Sequence, residues 1–239
     1  MQPEPFGLLL ILIAILVSIP YLMVRLYKHY RYINTMYYQI TRNPYRSLDD
    51  GQYGEYLVYK NLKKLEKDGC KFLFNLYIPK PNNQTSEIDV LLISPKGLFV
   101  FESKNYRGWI FGNQQQRNWT QTLPVGKGYE SHKTKFYNPI WQNASHITHL
   151  EGVIGEGIPM HSVVVFSDEC DFRDVTLTSD DASVIYQHEL KSLVSEFYIH
   201  IEDDLLSPKD IANLYSQLYP YTQVSSEAKE QHISNIQEL

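Results

Sequence analysis

The stretch SEIDVLLISPKGLFVFESKNYRG, residues 86–108, decides the fold of this chain. Two apolar runs flank the tetrapeptide SPKG at positions 94–97, and Pro in the second place with Gly in the fourth favours a tight turn. The runs carry the β-branched and aromatic residues that suit strands. The stretch therefore predicts a β-hairpin with strands at residues 88–93 and 98–103.

Charged side chains interrupt both predicted strands of the hairpin. Asp89 lies in the first strand, and Glu102 and Lys104 lie two residues apart in the second, so the latter two share one face. Burying a carboxylate in a sheet costs several kcal/mol unless a cation or a proton compensates it. The hairpin therefore predicts a charged functional cluster.

The register of the hairpin decides whether the two acids meet. If Ser94 pairs with Gly97, Asp89 lies opposite Glu102 with the two Cβ atoms roughly 5 Å apart. Two carboxylates at that separation repel each other, and Mg²⁺ or Mn²⁺ would relieve the repulsion. A bulge at Gly97 would instead shift the register by one residue and send the acids to opposite faces. The turn type is open at this point.

A helix predicted at about residues 50–68 adds a third acid. Asp49 and Asp50 are suited to its N-terminus, and Gly69 to its end. Glu55 falls on the same helical stripe as three apolar residues, Val58, Leu62 and Leu65. Because that stripe should face the core, Glu55 is expected to have a partner there.

The rest of the chain predicts one α/β domain with a mixed sheet flanked by helices. Further strands are predicted at 71–78, 108–111, 118–123, 161–167 and 183–186, and further helices at 139–154, 189–199 and from Pro208 to a point before Pro220. Residues 124–138 are predicted to form a mobile basic loop. The tail from Tyr221 is predicted to be loose.

Charge is distributed unevenly. The 239-residue chain has a net charge of −5, which argues against a general DNA-coating protein. Yet residues 104–135 contain six basic side chains and one acidic side chain, Glu130. This segment is either a solvated loop or a phosphate-contacting rim beside the hairpin acids. Cys70 and Cys170 form no CxxC or Cys/His cluster, so nothing indicates a zinc site.

The N-terminus predicts a membrane anchor. Residues 6–24 form an uncharged apolar run of 19 residues, about the length a bilayer core requires. Arg25, Lys28 and Arg31 follow at once, and the positive-inside rule then places the C-terminal domain in the cytoplasm. A cleaved signal peptide would need a basic start and a small-residue cleavage site, and neither is present. We expect a single-pass protein of the plasma membrane.

The ordered set of residues resembles a known family. Gly54-Glu55, then EID at 87–89, then ESK at 102–104 is similar to the PD-(D/E)XK nuclease superfamily, and more narrowly to the nuclease-related domain, or NERD, family. YGEYLVYKNL at 53–62 and NPIWQNASHITHL at 138–150 are part of the likeness, which extends over about residues 50–200. Ile88 stands where the superfamily name has proline.

The resemblance implies a restriction-endonuclease-like fold and a metal-dependent nuclease site. Asp89 and Glu102 would bind Mg²⁺ or Mn²⁺ with the Ser103 carbonyl, Lys104 would be catalytic, Glu55 would be the helix acid, and Gln142 would contact the site from a helix. The predicted domains are an anchor at 1–31, a linker at 32–49, the nuclease-like domain at 50–200, and a C-terminal helix and tail at 201–239.

Two further groups of residues permit alternative interpretations. Gln142, His146 and His149 share a face of their predicted helix, which is either a substrate-facing strip or a solvated surface. A second group of three aromatic residues could stack on bases, although core packing is the commoner role: Trp109, Phe111 and Trp119.

The sequence thus predicts a membrane-anchored nuclease that cleaves nucleic acid, DNA in the first instance, on the cytoplasmic side. Two rival hypotheses stay open. One is a catalytically inactive nuclease-fold module that binds nucleic acid or a protein partner at the membrane. The other is a membrane-associated interaction protein in which the acids are structural.

Overall fold

The computed structural model of this chain describes residues 5–81, 84–124, 126 and 131–237. The chain divides into two units, Met1–Ser47 and Leu48–Leu239. The domain divisions at residues 31, 49 and 200 stay predictions. Five residues of the basic segment, 125 and 127–130, lie outside the described residues, and two of them are charged, Lys127 and Glu130.

The first unit is dominated by helix α1 (Pro5–Ile33), followed by the short helix α2 (Met36–Thr41). Among the described helices, α1 alone has the length and apolarity to cross a bilayer, with a 25-residue candidate span and a mean hydropathy of 2.5. None of its most apolar 18-residue window is buried within the protein, although Tyr32 near the end of the span is 3% exposed. A signal sequence would meet the same criteria, so α1 is an apolar N-terminal helix in either case.

The second unit contains nine strands and five further helices among its described residues. The strands are β1 (Lys71–Pro79), β2 (Thr85–Ser94), β3 (Gly97–Lys104), β4 (Gly108–Asn113), β5 (Asn118–Leu123), β6 (His132–Tyr137), β7 (Met160–Phe166), β8 (Cys170–Thr176) and β9 (Ser183–Tyr186). The helices are α3 (Asp50–Leu62), α4 (Pro139–Ile154), α5 (Leu190–His200), α6 (Pro208–Leu218) and α7 (Ser226–Gln237).

The strands form two mixed sheets. The five-stranded sheet has the order β1-β2-β3-β7-β9, with antiparallel pairing through β3 and parallel pairing beyond it. The four-stranded sheet has the order β6-β5-β4-β8, in which β4 and β8 are parallel. The predicted α/β class with a mixed sheet is confirmed, and the strands divide between two sheets.

The centre of the larger sheet is the hairpin of β2 and β3. Ser94 pairs with Gly97 and Val90 with Phe101, so the two-residue loop without a bulge is the correct alternative. Gly97 has φ of +105°, and an added Cβ would lie 2.5 Å from the Pro159 carbonyl oxygen. The turn thus requires glycine both for its conformation and for the close approach of the chain.

Helices cover both faces of the larger sheet. An added Cβ on Gly54 of α3 would meet the Ser103 side chain, whereas Asn143 of α4 donates a hydrogen bond to the Val100 carbonyl at 2.8 Å. Ser103 and Glu102 are adjacent on β3 and point to opposite faces. Since His146 of α4 contacts Glu102, α3 and α4 sandwich the end of this strand.

A second core joins the two sheets. Trp119 of β5 is fully buried and stacks on Phe166 of β7, with ring centroids 6.1 Å apart. Ile110 of β4 is buried in the same cluster. Trp119 is therefore a core residue, while the partly buried Trp109 lies under Arg173 at 5.3 Å.

Three elements differ from the sequence prediction. Part of the predicted basic loop forms β6, which pairs with β5 from Asn118 to Leu123. β8 was not predicted. The tail also contains α7, which places a buried His232 within 2.8 Å of Thr85. β6 depends on pairing with the strand before it, whereas β8 and α7 depend on distant parts of the chain.

Candidate functional site

The site opens where β2 separates from β3. Their pairing ends at Val90–Phe101, one step before Asp89 would face Glu102. At that point the Asp89 carboxylate accepts a hydrogen bond from the Ser103 backbone N–H, at 2.8 Å. The Asp89 side chain thus takes the place of the next backbone hydrogen bond between β2 and β3, and this bond holds the carboxylate between the two strands.

The opposite side of β2 is also irregular at this position. β1 and β2 pair at Phe74–Val90 and again at Leu76–Ile88. Between them lies Asn75, which has φ of +50°. A non-glycine residue in this conformation is uncommon, so both neighbours of β2 depart from regular pairing around Asp89.

Glu102 and Lys104 form a buried ion pair. The Lys104 ammonium lies 2.6 Å from Glu102 Oε1, and the two side chains are 14% and 1% exposed. Lys104 also donates to Gln142 Oε1 at 3.2 Å. The structure thus brings the charged pair of β3 together with Gln142 of α4, as the resemblance implies.

Glu55 reaches the same cleft from α3 because that helix approaches β3 closely. A Cβ on Gly54 would lie 2.6 Å from Ser103 Oγ and 2.9 Å from Asn105 Cβ. Glycine permits this contact, and the next residue, Glu55, is 93% buried at the edge of the cleft, being 7% exposed. The Asn105 side chain further ties the end of β3 to the Asp50 carbonyl at 2.8 Å.

All five side chains predicted for the site line one cleft of about 630 Å³: Glu55, Asp89, Glu102, Lys104 and Gln142. Ser103 lines it as well. The polar rim includes Arg107 and Gln121. Four carboxylates are among the lining side chains, those of Asp50, Glu55, Asp89 and Glu102.

The electrostatics separate the two strand acids. Burial raises the pKa of Asp89 well above its ordinary value of 3.8, and Glu102 and Glu55 raise it further. Burial alone would also raise the pKa of Glu102, but Lys104 and His146 outweigh that effect and hold the pKa below 4.5. Glu102 is therefore a compensated anion, whereas Asp89 is short of positive charge.

Lys104 is held in its charged form. Burial acts to lower its pKa, but Glu102, Tyr106 and Asp89 together raise the pKa above the ordinary 10.5. A lysine in this state cannot accept a proton near neutral pH. Its available chemistry is that of a fixed cation.

His146 is the site residue that the sequence left open between a substrate-facing strip and a solvated surface. It is 7% exposed, and its Nε2 lies 3.1 Å from Glu102 Oε2, while Nδ1 lies 2.6 Å from Ser86 Oγ. The signal available in the sequence was its i, i+4 spacing from Gln142 on a helix. His149 does not join the site, since its Nδ1 contacts the Ser145 carbonyl of its own helix.

Three further basic residues lie outside the cluster of buried acids. Arg107 borders the cleft and pairs with Glu169 at 2.8 Å, with both side chains about two-thirds exposed (68% and 64%). Lys133 and Lys135 are exposed and share one face of β6, since they are two residues apart. The register pairs Lys133 with Thr122 and Lys135 with Thr120, so these lysines lie on the face of the four-stranded sheet opposite to that of Gln121.

The oxygen atoms available in the cleft would make only a few direct contacts with a metal ion. Within the described parts of the chain, no three His, Cys, Asp or Glu side chains converge as a complete ligand set. Mg²⁺ commonly uses only one or two protein carboxylates and keeps several waters. Asp89 and Glu102, with backbone oxygen from Ser103, fit that pattern, and Asp89 lacks the countercharge that a cation would supply.

Comparison with known proteins identifies the family to which residues 50–167 are similar. An uncharacterized protein of Bacillus anthracis is 28% identical over 183 residues, which cover 77% of this chain and 82% of the relative. No solved structure matches the chain. Residues 50–167 match the family model of the nuclease-related domain. The chain therefore contains a nuclease-related domain, which confirms the family resemblance of its sequence.

Proposed function

We propose that this protein is a membrane-anchored, metal-dependent nuclease that hydrolyses phosphodiester bonds of nucleic acid, with DNA as the first substrate to test. The observation that carries the proposal is the buried Glu102–Lys104 pair, joined in one cleft by Asp89 and Glu55. Buried acids without full compensation are expensive, and such groups concentrate at functional sites. A nuclease-related domain supports phosphodiester chemistry at this site.

The residues of the cleft divide the work. Lys104 keeps its charge, so it can hold a non-bridging phosphate oxygen and offset the negative charge that grows there during hydrolysis. Gln142 holds the ammonium by accepting one of its hydrogen bonds. Glu55, at the edge, can orient a water through its carboxylate, a role that needs no direct metal contact.

The cofactor that suits this donor set is Mg²⁺ or Mn²⁺. Asp89, Glu102 and the Ser103 carbonyl would hold it. When bound, such an ion lowers the pKa of coordinated water and neutralises charge on the phosphate. Asp89 is held in place for this role by the Ser103 N–H.

Nucleic acid would enter from the basic side. Arg107 borders the cleft, and the exposed Lys133 and Lys135 of β6 would contact phosphates farther along the bound strand. Exposed lysines contact phosphates without regard to sequence. The expected mode is therefore backbone binding with little base preference.

Helix α1 would act as the anchor. Its apolar span is followed by Arg25, Lys28 and Arg31, and the positive-inside rule then places the nuclease-related domain in the cytoplasm. The plasma membrane is the proposed location.

The test uses the full chain purified in detergent. We expect cleavage of plasmid DNA with Mg²⁺ or Mn²⁺ and none with EDTA. Glu102→Ala and Lys104→Ala should each reduce the rate by at least about 100-fold, because removal of a single charge-stabilising group typically has that effect. Cleavage by either variant at the wild-type rate would refute the assignment.

A second function is favoured by the two contacts that Glu102 makes. Both oxygens of Glu102 already have partners, Lys104 at 2.6 Å and His146 at 3.1 Å. A site balanced in this way could serve as a binding module that needs no metal. Nucleic-acid binding that is unchanged by EDTA, with no cleavage under any metal, would identify this alternative.

A further inference from the structure

The interior of the nuclease-related domain contains a continuous hydrogen-bonded chain. It runs from Ser86 on β2 through His146 on α4 to Glu102 on β3, and on through Lys104 to Gln142. The links from Ser86 to Glu102 measure 2.6 and 3.1 Å. The chain begins and ends with side chains that anchor it to β2 and α4.

The direction of its bonds follows from the groups involved. A carboxylate only accepts hydrogen bonds, so the proton on this side belongs to His146 Nε2, which donates to Glu102 Oε2. In the neutral ring Nδ1 then accepts from the Ser86 hydroxyl. The imidazole is therefore held at both nitrogens, and it fixes one oxygen of Glu102.

The chain has the Ser–His–acid order of a serine-hydrolase triad but cannot act as one. Ser86 is 2% exposed, so no substrate carbonyl can reach its hydroxyl. Ser86 instead acts as a support behind the imidazole.

Helix α4 is fixed to the sheet independently of this chain. Asn143 donates to the Val100 carbonyl at 2.8 Å and to Ser162 Oγ at 2.9 Å. Gln142 and His146 flank Asn143 on the helix and contact Lys104 and Glu102, respectively. One helix thus holds both halves of the buried ion pair.

We propose that His146 is a positioning residue that fixes the plane of the Glu102 carboxylate, with Ser86 as its support. The proposal rests on the proposed function only for its consequence in catalysis. Without the His146 donor, Oε2 would be a buried charged oxygen lacking its partner, and the carboxylate would turn toward Lys104 or water to regain one. Glu102 would then be misplaced as a metal ligand.

The first experiment measures the position of Glu102 without metal. Crystal structures of wild type and His146→Leu, both in EDTA, should show the Glu102 carboxylate rotated in the variant and retained in His146→Gln, whose amide can still donate. An unmoved carboxylate in His146→Leu would overturn the proposal. This result is independent of any nuclease activity.

The second experiment measures Mn²⁺ affinity by electron paramagnetic resonance on the full chain in detergent. His146→Leu should bind Mn²⁺ about 10- to 100-fold more weakly, the range found for residues that support metal ligands, and His146→Gln should recover most of the loss. His149→Leu, one turn along the same helix, is the matched control and should bind as wild type does. A merely structural histidine would lower the Tm of His146→Leu but leave the Mn²⁺ affinity of the folded protein unchanged, which would overturn the proposal.

The test also covers a His146→Leu variant that does not fold and a wild-type protein that binds no Mn²⁺. If His146→Leu does not fold, Ser86→Ala, which only removes the hydroxyl behind the ring, should still weaken Mn²⁺ binding, and wild-type affinity there would overturn the proposal. If wild type itself binds no Mn²⁺, the proposed function fails, while the position of Glu102 in the metal-free structures still decides the role of His146.

Discussion

Removal of the Lys104 charge is the perturbation with the clearest energetic consequence. Lys104→Met keeps the length of the side chain but leaves Glu102, 1% exposed, without its ammonium partner at 2.6 Å. Breaking a buried ion pair on one side costs about 3–5 kcal/mol. Since His146 still donates to Glu102, we expect the lower end of that range, about 3 kcal/mol.

The double variant tests the cause of this loss. Glu102→Gln together with Lys104→Met removes both charges, and the amide can still bond to His146. We expect the double variant to be more stable than Lys104→Met alone, with a coupling energy of about 1–3 kcal/mol in the mutant cycle. Lys133→Met, at an exposed position on β6, should change stability by less than about 0.5 kcal/mol.

Urea unfolding in EDTA, followed by tryptophan fluorescence, is the appropriate assay because Trp119 is fully buried in the domain core. For a domain of this size a loss of 3 kcal/mol corresponds to a fall in Tm of about 6–12 °C. Wild-type stability in Lys104→Met, or additive effects in the double variant, would refute the view that the pair is buried and mutually compensated.

Three further predictions test the surroundings of the cleft. Gly54→Ala should destabilise the protein by about 1–3 kcal/mol, since the new Cβ would lie 2.6 Å from a side-chain oxygen of β3. Gly152→Ala, in open space on α4, should be neutral or stabilising by up to about 1 kcal/mol, and equal Tm values for the two variants would contradict the close approach of α3. The pKa of Asp89 is raised in the native state, so the native state binds the Asp89 proton more tightly than the unfolded state does, and stability falls as pH rises from about 3.8 to the native pKa. In metal-free urea titrations Asp89→Asn should lack this decline, and parallel pH profiles of wild type and variant would contradict the raised pKa. Replacing both Lys133 and Lys135 by Gln should weaken DNA binding at low salt and reduce the slope of log affinity against log salt by about 2, and an unchanged slope would show that DNA does not contact β6.

The hairpin and its two strands could be predicted because their determinants are local, while the choice between a two-residue loop and a bulge at Gly97 stayed open. The SPKG turn, the apolar runs and the required glycine at position 97 all lie within 23 residues of sequence, residues 86–108. The register from Ser94–Gly97 to Val90–Phe101 follows from the turn alone. What the turn cannot specify is where the ladder ends, since that depends on the Asp89 carboxylate and on Asn75 across the neighbouring strand.

The elements missed by sequence reasoning depend on contacts with other elements. β6 reads HKTKFY, with exposed lysines, and becomes a strand because β5 offers it an edge. α7 is polar, and its one described buried side chain, His232, is placed by contacts with Thr85 and Glu87 on β2. No local pattern encodes these contacts.

The site residues also differ in whether the local sequence identifies them. Glu55 could be identified because an acid on an apolar helical stripe conflicts with local expectation. His146 could not be distinguished from a solvated histidine by its spacing, since its role depends on where α4 packs, and that is set by Asn143 bonding to β3 and β7. The partners of a buried polar residue come from tertiary structure.

The most direct measurement of the central claim is the anomalous difference density of crystals of the protein soaked in Mn²⁺. The account predicts a peak between the carboxylates of Asp89 and Glu102 and beside the Ser103 carbonyl, absent from crystals kept in EDTA and lost in Asp89→Asn. A fully soaked crystal without a peak in the cleft, or with Mn²⁺ bound only elsewhere, would contradict the metal-dependent site.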